Sequence, residues 1–344
     1  MPEPVLRALP YTPHGGPDGS PTPLLDFSVN GNPFGPPPEL LGVLRGVDVS
    51  SYPDPTGAAA REAAAAFHGT SPEGVVPGGA AELIYRLSAC YLKPGRRVLV
   101  ASPTFGEYAR AAQLFGAEVA TCDVYPQDGP PAADALVRGV AATRPTLVWL
   151  CSPNNPTGHA WSAEALAEVA AACAGHDALL VIDAAYLELS RAEAGTPGDA
   201  VHLSPLTKTF SIAGLRAGYA HAPPAVAETL RRAAPPWPVS APAEAAVRWC
   251  RSDAGRAFVE KTVPELLGLR GAFQTGVRAL GFEVWESSSS FFLVEVGDAA
   301  AFAARAREAG FRVRDASSFG LPGCIRLATR TQGDNERFLR WLAC

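Results

Sequence analysis

From Gly57 onward, the sequence alternates between segments with a helical pattern and short runs of apolar residues. The helical segments include GAAAREAAAAFH and SAEALAEVAAACAG, and the apolar runs include RRVLVASP, TLVWLCS and ALLVIDAAY. Runs that are apolar throughout, and not only at every second residue, are typical of strands buried on both faces of a parallel sheet. The alternation therefore predicts an α/β fold in which a mostly parallel sheet lies between helices.

Prolines and glycines divide the chain into three regions. Residues 1–38 are too rich in both to form a regular helix or a central strand, so they predict an extended arm over the body of the protein, with a disordered tail up to Pro23 as the alternative. Residues 39–236 are predicted to form a large domain. Beyond PPWPVSAP, residues 237–344 contain a strand pair, FEVWES and FFLVEV, the helix DAAAFAARAREAG, the strand CIRLATR and a final helix, which predict a smaller α+β domain.

The composition excludes several classes of function. A net charge of -5, with scattered basic residues, gives no electrostatic surface for nucleic acid. No apolar run approaches the roughly 20 residues that span a bilayer, and the first residues lack the layout of a signal peptide. The 7 cysteines include no C-x-x-C pair, so neither a disulfide framework nor a metal site is predicted. We therefore expect a cytoplasmic protein that binds no nucleic acid, membrane or metal.

Polar side chains follow three of the predicted strands. Asn155 lies in CSPNNPTG, Asp183 ends the run LLVID with Tyr186 just beyond it, and Lys208 lies in LSPLTKTFSIAGLRAGYA. In an open α/β sheet, ligands bind beyond the carboxyl ends of the strands, so these side chains lie where a site is expected. Taken singly, Asn155 also suits a tight turn and Asp183 a helix cap, but those alternatives do not explain the joint pattern.

Lysine is rare in this chain, which contains only Lys93, Lys208 and Lys261. Lys208 lies among apolar residues, where an ammonium group is destabilised and the neutral amine is a better nucleophile. The alternative, a surface lysine whose stem covers apolar neighbours, suits Lys93 and Lys261 far better. Lys208 is therefore the candidate nucleophile.

The order Asn155, Asp183, Lys208 resembles the fold type I pyridoxal-phosphate enzymes, and specifically the aspartate aminotransferase superfamily of class I and II aminotransferases. The resemblance covers essentially the whole chain and implies pyridoxal 5'-phosphate as the cofactor. It implies that Lys208 forms a Schiff base with the aldehyde of the cofactor and that Asp183 pairs with the pyridine nitrogen. Asn155 and Tyr186 would then hydrogen-bond the ring hydroxyl.

The same resemblance assigns residues to the cofactor phosphate, to the ring face and to the substrate. The phosphate would contact the backbone of Gly79, Ala80 and Ala81 at a helix start, the side chains of Thr207 and Arg216, and Tyr52 of the neighbouring subunit. Phe105, in PTFGEY, is the closer match for the residue that stacks on the ring, and Tyr108 is the alternative. Arg326, in CIRLATR, would bind a substrate carboxylate. Relatives carry a hydroxyl residue where Pro205 stands, so either Ser204 replaces it or Thr207 acts alone.

Two subfamilies that act on phosphorylated amines share most of these motifs. PHGG, LDFSVNGNPFGPPP, PPWPVSAP and LATRT are similar to the L-threonine-O-3-phosphate decarboxylases of cobalamin biosynthesis. That resemblance predicts a decarboxylase, in which His14 and Asn32 would cap the substrate phosphate, although His14 also suits a turn beside two glycines. The alternative is a histidinol-phosphate aminotransferase, or a related class I or II aminotransferase, that transfers an amino group to 2-oxoglutarate. In either case the resemblance implies a homodimer with shared active sites. From another class, a non-catalytic domain that senses the cofactor is a further alternative.

Overall fold

The computed structural model describes Leu9, residues 11–17, Gly19, residues 24–193, Gly195 and residues 197–344. The prediction of an extended arm falls partly on positions that lie outside the described residues, namely residues 1–8, 10, 18 and 20–23.

Strands and helices alternate along the described chain. The strands are β1 (Leu25–Asp26), β2 (Val75–Pro77), β3 (Arg97–Ser102), β4 (Glu118–Asp123), β5 (Leu147–Cys151), β6 (Leu179–Asp183), β7 (Val201–Pro205), β8 (Gly218–His221), β9 (Phe291–Glu295), β10 (Phe311–Arg312), β11 (Arg314–Asp315) and β12 (Cys324–Ala328). The α-helices are α1 (Pro38–Arg45), α2 (Ala58–His68), α3 (Ala80–Tyr91), α4 (Glu107–Leu114), α5 (Ala133–Thr143), α6 (Ala163–Ala174), α7 (Pro224–Arg232), α8 (Ala241–Cys250), α9 (Asp253–Ala279), α10 (Ala299–Glu308) and α11 (Gln332–Leu342).

Within the described residues, the larger sheet contains 7 strands in the order β2-β8-β7-β6-β5-β3-β4. The pairs from β4 through β3, β5 and β6 to β7 are parallel, whereas β8 is antiparallel to both β7 and β2. The prediction of a mostly parallel sheet is therefore confirmed. The sequence pattern does not reveal β2 and β8, because both strands are too short to show a period.

Helices cover this sheet on both faces, as the fully apolar strands require. Along β3, Val98 and Val100 enter one core, which α3, α4, α7 and part of α9 complete. The alternate residues Leu99 and Ala101 enter a second core with α5 and α6. Because successive side chains of a strand point to opposite faces, the central strands β3, β5 and β6 each contribute to both cores.

The C-terminal part of the chain forms a smaller antiparallel sheet with the order β11-β12-β9. Its core includes residues of α9, α10 and α11. The N-terminal segment also belongs to this core, because β1 pairs in parallel with β10 and the Phe27 ring lies 4.8 Å from that of Phe338. Helix α9 connects the two parts, with Leu266 in the first core and Phe273 in the third. The domain boundary near residue 236 stays a prediction.

The segment FEVWES, predicted as a strand, pairs with β9 only through a single antiparallel bridge between Val284 and Val294. The following serines leave the small sheet, since the Ser288 N–H donates to the Gly158 carbonyl at 3.0 Å. The regular strand pair is therefore shorter than predicted. In the described part of the chain, no helix has both the length and the apolar character needed to cross a membrane.

Candidate active site

The carboxyl ends of three neighbouring strands meet in one cavity. Cys151, the last residue of β5, pairs with Asp183, the last residue of β6, which in turn pairs with Leu203 in β7. The segments that follow these strand ends bring Asn155, Asp183 and Lys208 to the wall of a cavity of about 390 Å³. The sheet topology therefore brings together the polar residues that the sequence analysis singled out.

Most of the predicted site residues line this cavity. They are His14, Ala80, Ala81, Phe105, Tyr108, Asn155, Asp183, Tyr186, Thr207, Lys208, Arg216 and Arg326. Three others do not line it: Gly79 caps the start of α3, Asn32 is buried beside the cavity, and Tyr52 lies on the surface. Pro205 also contributes to the cavity wall, whereas Ser204, the alternative phosphate contact, is not among the lining residues.

Asp183 is a buried carboxylate held by two donors. The Tyr108 hydroxyl donates to its Oδ2 at 2.7 Å, and the Ala185 N–H donates to its Oδ1 at 3.0 Å. Burial raises the pKa of Asp183 to about 6, although both hydrogen bonds act in the opposite direction. The Tyr108 ring stacks on Trp149 at a centroid distance of 4.9 Å. Tyr108 thus supports Asp183, and Phe105 remains the candidate for stacking on a planar ligand.

Lys208 lies in the cavity with its ammonium group destabilised. Burial lowers the pKa of Lys208 to about 8, and the positive charges of Arg326 and Arg216 act in the same direction. The backbone of Lys208 is fixed from the N-terminal segment, because the Asn32 N–H donates to the Lys208 carbonyl at 2.9 Å. The Asn32 amide itself donates to Thr262 Oγ1 at 3.0 Å, so its side chain supports the site from outside the cavity.

The start of α3 offers backbone donors to an anion. Among the described residues no side chain caps this helix, whose N-cap is Gly79. A Cβ at Gly79 would lie 3.0 Å from the Arg216 carbonyl oxygen, so glycine favours the close approach of these two segments. Arg216 itself has φ +55°, a strained conformation that places its side chain beside the helix start. Helix N-termini of this kind bind phosphate groups.

Arg326 is 5% exposed and holds several elements of the site together. One of its terminal nitrogens, Nη1, donates to Asn155 Oδ1, and the other, Nη2, donates to the Ser28 carbonyl at 2.6 Å. Its Nε has no partner among the described residues. A buried guanidinium with an unpaired N–H is a site for an anionic ligand.

Arg314, which was not predicted from the sequence as a site residue, lies directly opposite Arg326 in the β11–β12 pair. Arg314 is 8% exposed, lines the cavity and donates to the Pro13 carbonyl at 2.7 Å and to Ser318 Oγ at 2.6 Å. The signal in the sequence is weak, because β11 contains only 2 residues and shows no period. Like charges directly opposite each other on a sheet are destabilising unless an anion balances them.

Glu107 is a second missed residue, and it holds His14 at the cavity. His14 Nε2 lies 3.2 Å from Glu107 Oε1, and the His14 and Phe105 rings are 5.6 Å apart. Tyr52, by contrast, is 77% exposed and stacks on Trp237 at 4.2 Å, outside the cavity of the single chain. Its predicted phosphate contact therefore requires a neighbouring subunit.

Comparison with known proteins identifies the family. The family model for aminotransferase class I and II matches residues 22–342. The histidinol-phosphate aminotransferase of Haloarcula marismortui is 32% identical over 330 residues, which is 92% of this chain and 88% of that protein. The enzyme of the same name from Rhodospirillum centenum is 34% identical over 349 residues, covering 96% and 94% of the two chains.

A solved structure shows the same fold. The histidinol-phosphate aminotransferase of Sinorhizobium meliloti in complex with pyridoxal-5'-phosphate superposes with a TM-score of 0.86 at 22% identity, covering 93% of this chain and 90% of that one. At this identity the likeness carries the fold alone. The family match and the extent of the relatives together show that the chain belongs to the class I and II aminotransferases.

Proposed function

We propose that this chain is a pyridoxal-phosphate-dependent aminotransferase that acts on a phosphorylated amine, with histidinol phosphate as the amino donor and 2-oxoglutarate as the acceptor. Support comes from the relatives named histidinol-phosphate aminotransferase, which span nearly the whole chain. They favour the alternative of the sequence analysis over its first prediction, the decarboxylase. They are also named as enzymes, so a non-catalytic sensing domain is not supported.

The residues of the cavity fit pyridoxal phosphate. A buried carboxylate that keeps a pKa of about 6 suits a protonated pyridine nitrogen, and the open start of α3 suits the phosphate. When bound, this cofactor supplies an aldehyde and an electron-accepting ring. Lys208 would hold the aldehyde and, when its amine is free, would carry the proton of the substrate Cα, since its lowered pKa of about 8 allows that amine to exchange protons near neutral pH. Phe105, in the cavity wall, would cover the ring face.

The observation that carries the proposal is the pairing of Arg314 opposite Arg326 in one cavity. The two buried guanidinium groups favour anionic ligands other than the cofactor phosphate, which would contact Arg216 and the start of α3. An aminotransferase of this kind binds two such ligands in turn. In this proposal Arg326 binds the carboxylate of 2-oxoglutarate and Arg314 binds the phosphate of the amine.

A second candidate, decarboxylation of L-threonine phosphate, is favoured by the N-terminal segment. The segment PHGG, which resembles the decarboxylases, forms part of the cavity wall through Pro13, His14 and Gly15. A Cβ at Gly15 would lie 2.4 Å from the Ser28 carbonyl oxygen, so this position requires glycine. Arg326 would hold the carboxylate of L-threonine phosphate and Arg314 its phosphate, so that this substrate would be fixed at both ends.

Two incubations separate the candidates. We expect glutamate to form from histidinol phosphate and 2-oxoglutarate, and no CO2 to be released from L-threonine phosphate alone. CO2 release without a 2-oxoacid, with no glutamate in the first mixture, would contradict the aminotransferase and establish the decarboxylase. If neither product forms, histidinol phosphate and L-threonine phosphate are both excluded as substrates.

Truncation of Arg314 tests the assignment of the substrate phosphate. Arg314→Ala should raise KM for the phosphorylated amine roughly 10- to 100-fold, because a charge-assisted hydrogen bond contributes about 1.5–3 kcal/mol. KM for 2-oxoglutarate should change much less. A larger effect on 2-oxoglutarate than on the phosphorylated amine would instead place the carboxylate at Arg314.

We also propose a homodimer, in which Tyr52 of the partner subunit completes the phosphate site. Val49, Tyr52 and Trp237 are exposed apolar side chains, with 74%, 77% and 42% of their surface accessible in the single chain. Such a surface suits a second copy of the chain.

Mixing two defective variants tests this arrangement. Lys208→Ala should be inactive, and Tyr52→Ala should lose at least about tenfold in activity through the lost phosphate contact. Heterodimers of the two carry one site with both residues intact, so they should regain roughly half of the normal activity. Heterodimers of Lys208→Ala and Asp183→Asn are the control, since both defects lie within a subunit's own site and no activity should return. No recovery in the first mixture would place Tyr52 outside the shared site.

A further inference from the structure

Glu107 is a buried acid in the cavity wall for which the proposed reaction has no use. It is the first residue of α4, and its side chain is 10% exposed. Its Oε2 accepts a hydrogen bond from the Tyr85 hydroxyl at 2.6 Å and lies 3.9 Å from an Arg110 nitrogen. Its Oε1 lies 3.2 Å from His14 Nε2. One carboxylate oxygen is thus fixed by the body of the protein, and the other contacts the N-terminal segment.

The negative charge of Glu107 opposes the binding of an anionic substrate, so we expect this residue to have a role that offsets that cost. The position at the start of α4 and the contacts with Tyr85 and Arg110 stabilise the carboxylate itself. Both of these side-chain contacts involve Oε2, so they do not account for Oε1, which lies on the cavity side. The contact with His14 is the remaining candidate.

The segment of residues 11–17 crosses the cavity and is held at few points. The Pro13 carbonyl accepts a hydrogen bond from Arg314, and the Gly16 N–H donates to Ser28 Oγ at 2.9 Å. The Arg110 guanidinium lies over the Tyr11 ring at 5.4 Å. His14 supplies the imidazole of this segment, and it faces both Glu107 and the cavity.

We propose that Glu107 is a positioning residue that fixes the segment of residues 11–17 over the cavity and orients the imidazole of His14. With Nε2 turned toward Glu107, Nδ1 is the ring nitrogen that remains for the substrate phosphate. The role of Nδ1 rests on the proposed function, since it needs a phosphorylated substrate. The attachment of the segment by Glu107 does not depend on the proposed function.

Hydrogen exchange of the cofactor-free protein tests the attachment without any turnover. In Glu107→Gln, the peptide of residues 11–17 should exchange about three- to tenfold faster, because a partly exposed charge-assisted contact is lost. His14→Ala should produce the same increase, and the side chain that it alters is half-exposed. Glu228→Gln is the matched control, since it breaks surface ion pairs with Arg231 and Arg232 far from the cavity. Exchange that is unchanged in both test variants would overturn the proposal.

Steady-state kinetics then separates positioning from chemistry. Glu107→Gln should raise KM for the phosphorylated amine about three- to tenfold with kcat within about twofold, and it should have no further effect in the His14→Ala background. Additive effects of the two changes, or a loss of kcat at unchanged KM, would contradict a role through His14. If exchange rises but neither phosphorylated substrate is turned over, the proposed function is wrong and the attachment of the segment stands.

Discussion

Replacement of Lys208 by alanine is expected to lower turnover by at least about 10³-fold. The change removes both the amine that holds the cofactor aldehyde and the group that carries the substrate proton, and each contribution is large. The amine is suited to both tasks because burial lowers its pKa to about 8. Steady-state assays of the variant, reconstituted with excess pyridoxal phosphate, measure the effect.

Chemical labelling provides the control for this prediction. The purified protein should be yellow, and borohydride should fix a phosphopyridoxyl group on Lys208. The chain's other lysines, Lys93 and Lys261, are both exposed and serve as internal controls. Labelling of either one in place of Lys208, or a colourless protein that takes up no cofactor, would refute the assignment.

The central part of the site is predictable from the sequence because it depends on sheet topology. Asn155 and Lys208 follow strands and Asp183 ends one. Parallel neighbouring strands bring their carboxyl ends together, so this part of the site can be predicted without detailed knowledge of packing. The rare lysine and the carboxylate that ends an apolar strand are visible as local exceptions to the pattern. The fold class follows from the same alternation of helices and apolar runs.

The outer part of the site is not predictable in the same way, because it depends on pairings between distant segments. Arg314 belongs to a strand of 2 residues, and its position opposite Arg326 follows from the register of that pair. Asn32 was predicted to contact the substrate, yet its side chain donates to Thr262 on α9, some 230 positions along the chain. His14, which contacts Glu107, lies in a part of the N-terminal segment where there is no regular secondary structure. Short strands and irregular segments leave no period from which such contacts can be inferred.

The buried charged groups of the cavity do not stabilise the folded chain, and their presence is explained by the ligands that they would bind. Asp183 has a raised pKa, and Lys208 and Arg326 have lowered pKa values, in each case chiefly because burial disfavours the charged form. Groups of this kind reduce the stability of the folded chain, and a cofactor and substrate of complementary charge would offset that cost. Removing one of these groups should therefore affect activity and stability in opposite directions.

Asp183→Asn should show these opposite effects on activity and stability most clearly. An amide cannot balance the charge of a protonated pyridine nitrogen, so we expect turnover to fall about 10²- to 10³-fold, as for the loss of other fixed charges in active sites. The cofactor-free variant, however, should be more stable than the parent protein at pH 7. Burial raises the pKa of Asp183 from 3.8 to about 6, so between these values the folded state retains a proton that the unfolded chain has released. The contribution of Asp183 to the unfolding free energy of the parent therefore falls as pH rises from 3.8 to about 6, and it is not regained at higher pH.

Urea unfolding of the two cofactor-free proteins at several pH values measures this difference. Between pH 4 and pH 7, the unfolding free energy of the variant should rise by roughly 1 to 3 kcal/mol relative to that of the parent. A shift of about two pKa units sets the upper end of this range, and the altered contact with Tyr108 lowers it. Tyr108→Phe is the control, because it removes the hydroxyl that donates to Asp183 at 2.7 Å but keeps the carboxylate, and it should retain or strengthen the fall in stability with pH. A variant that is less stable than the parent at pH 7, with no change in its pH dependence, would mean that Asp183 is held for the fold and not for the cofactor.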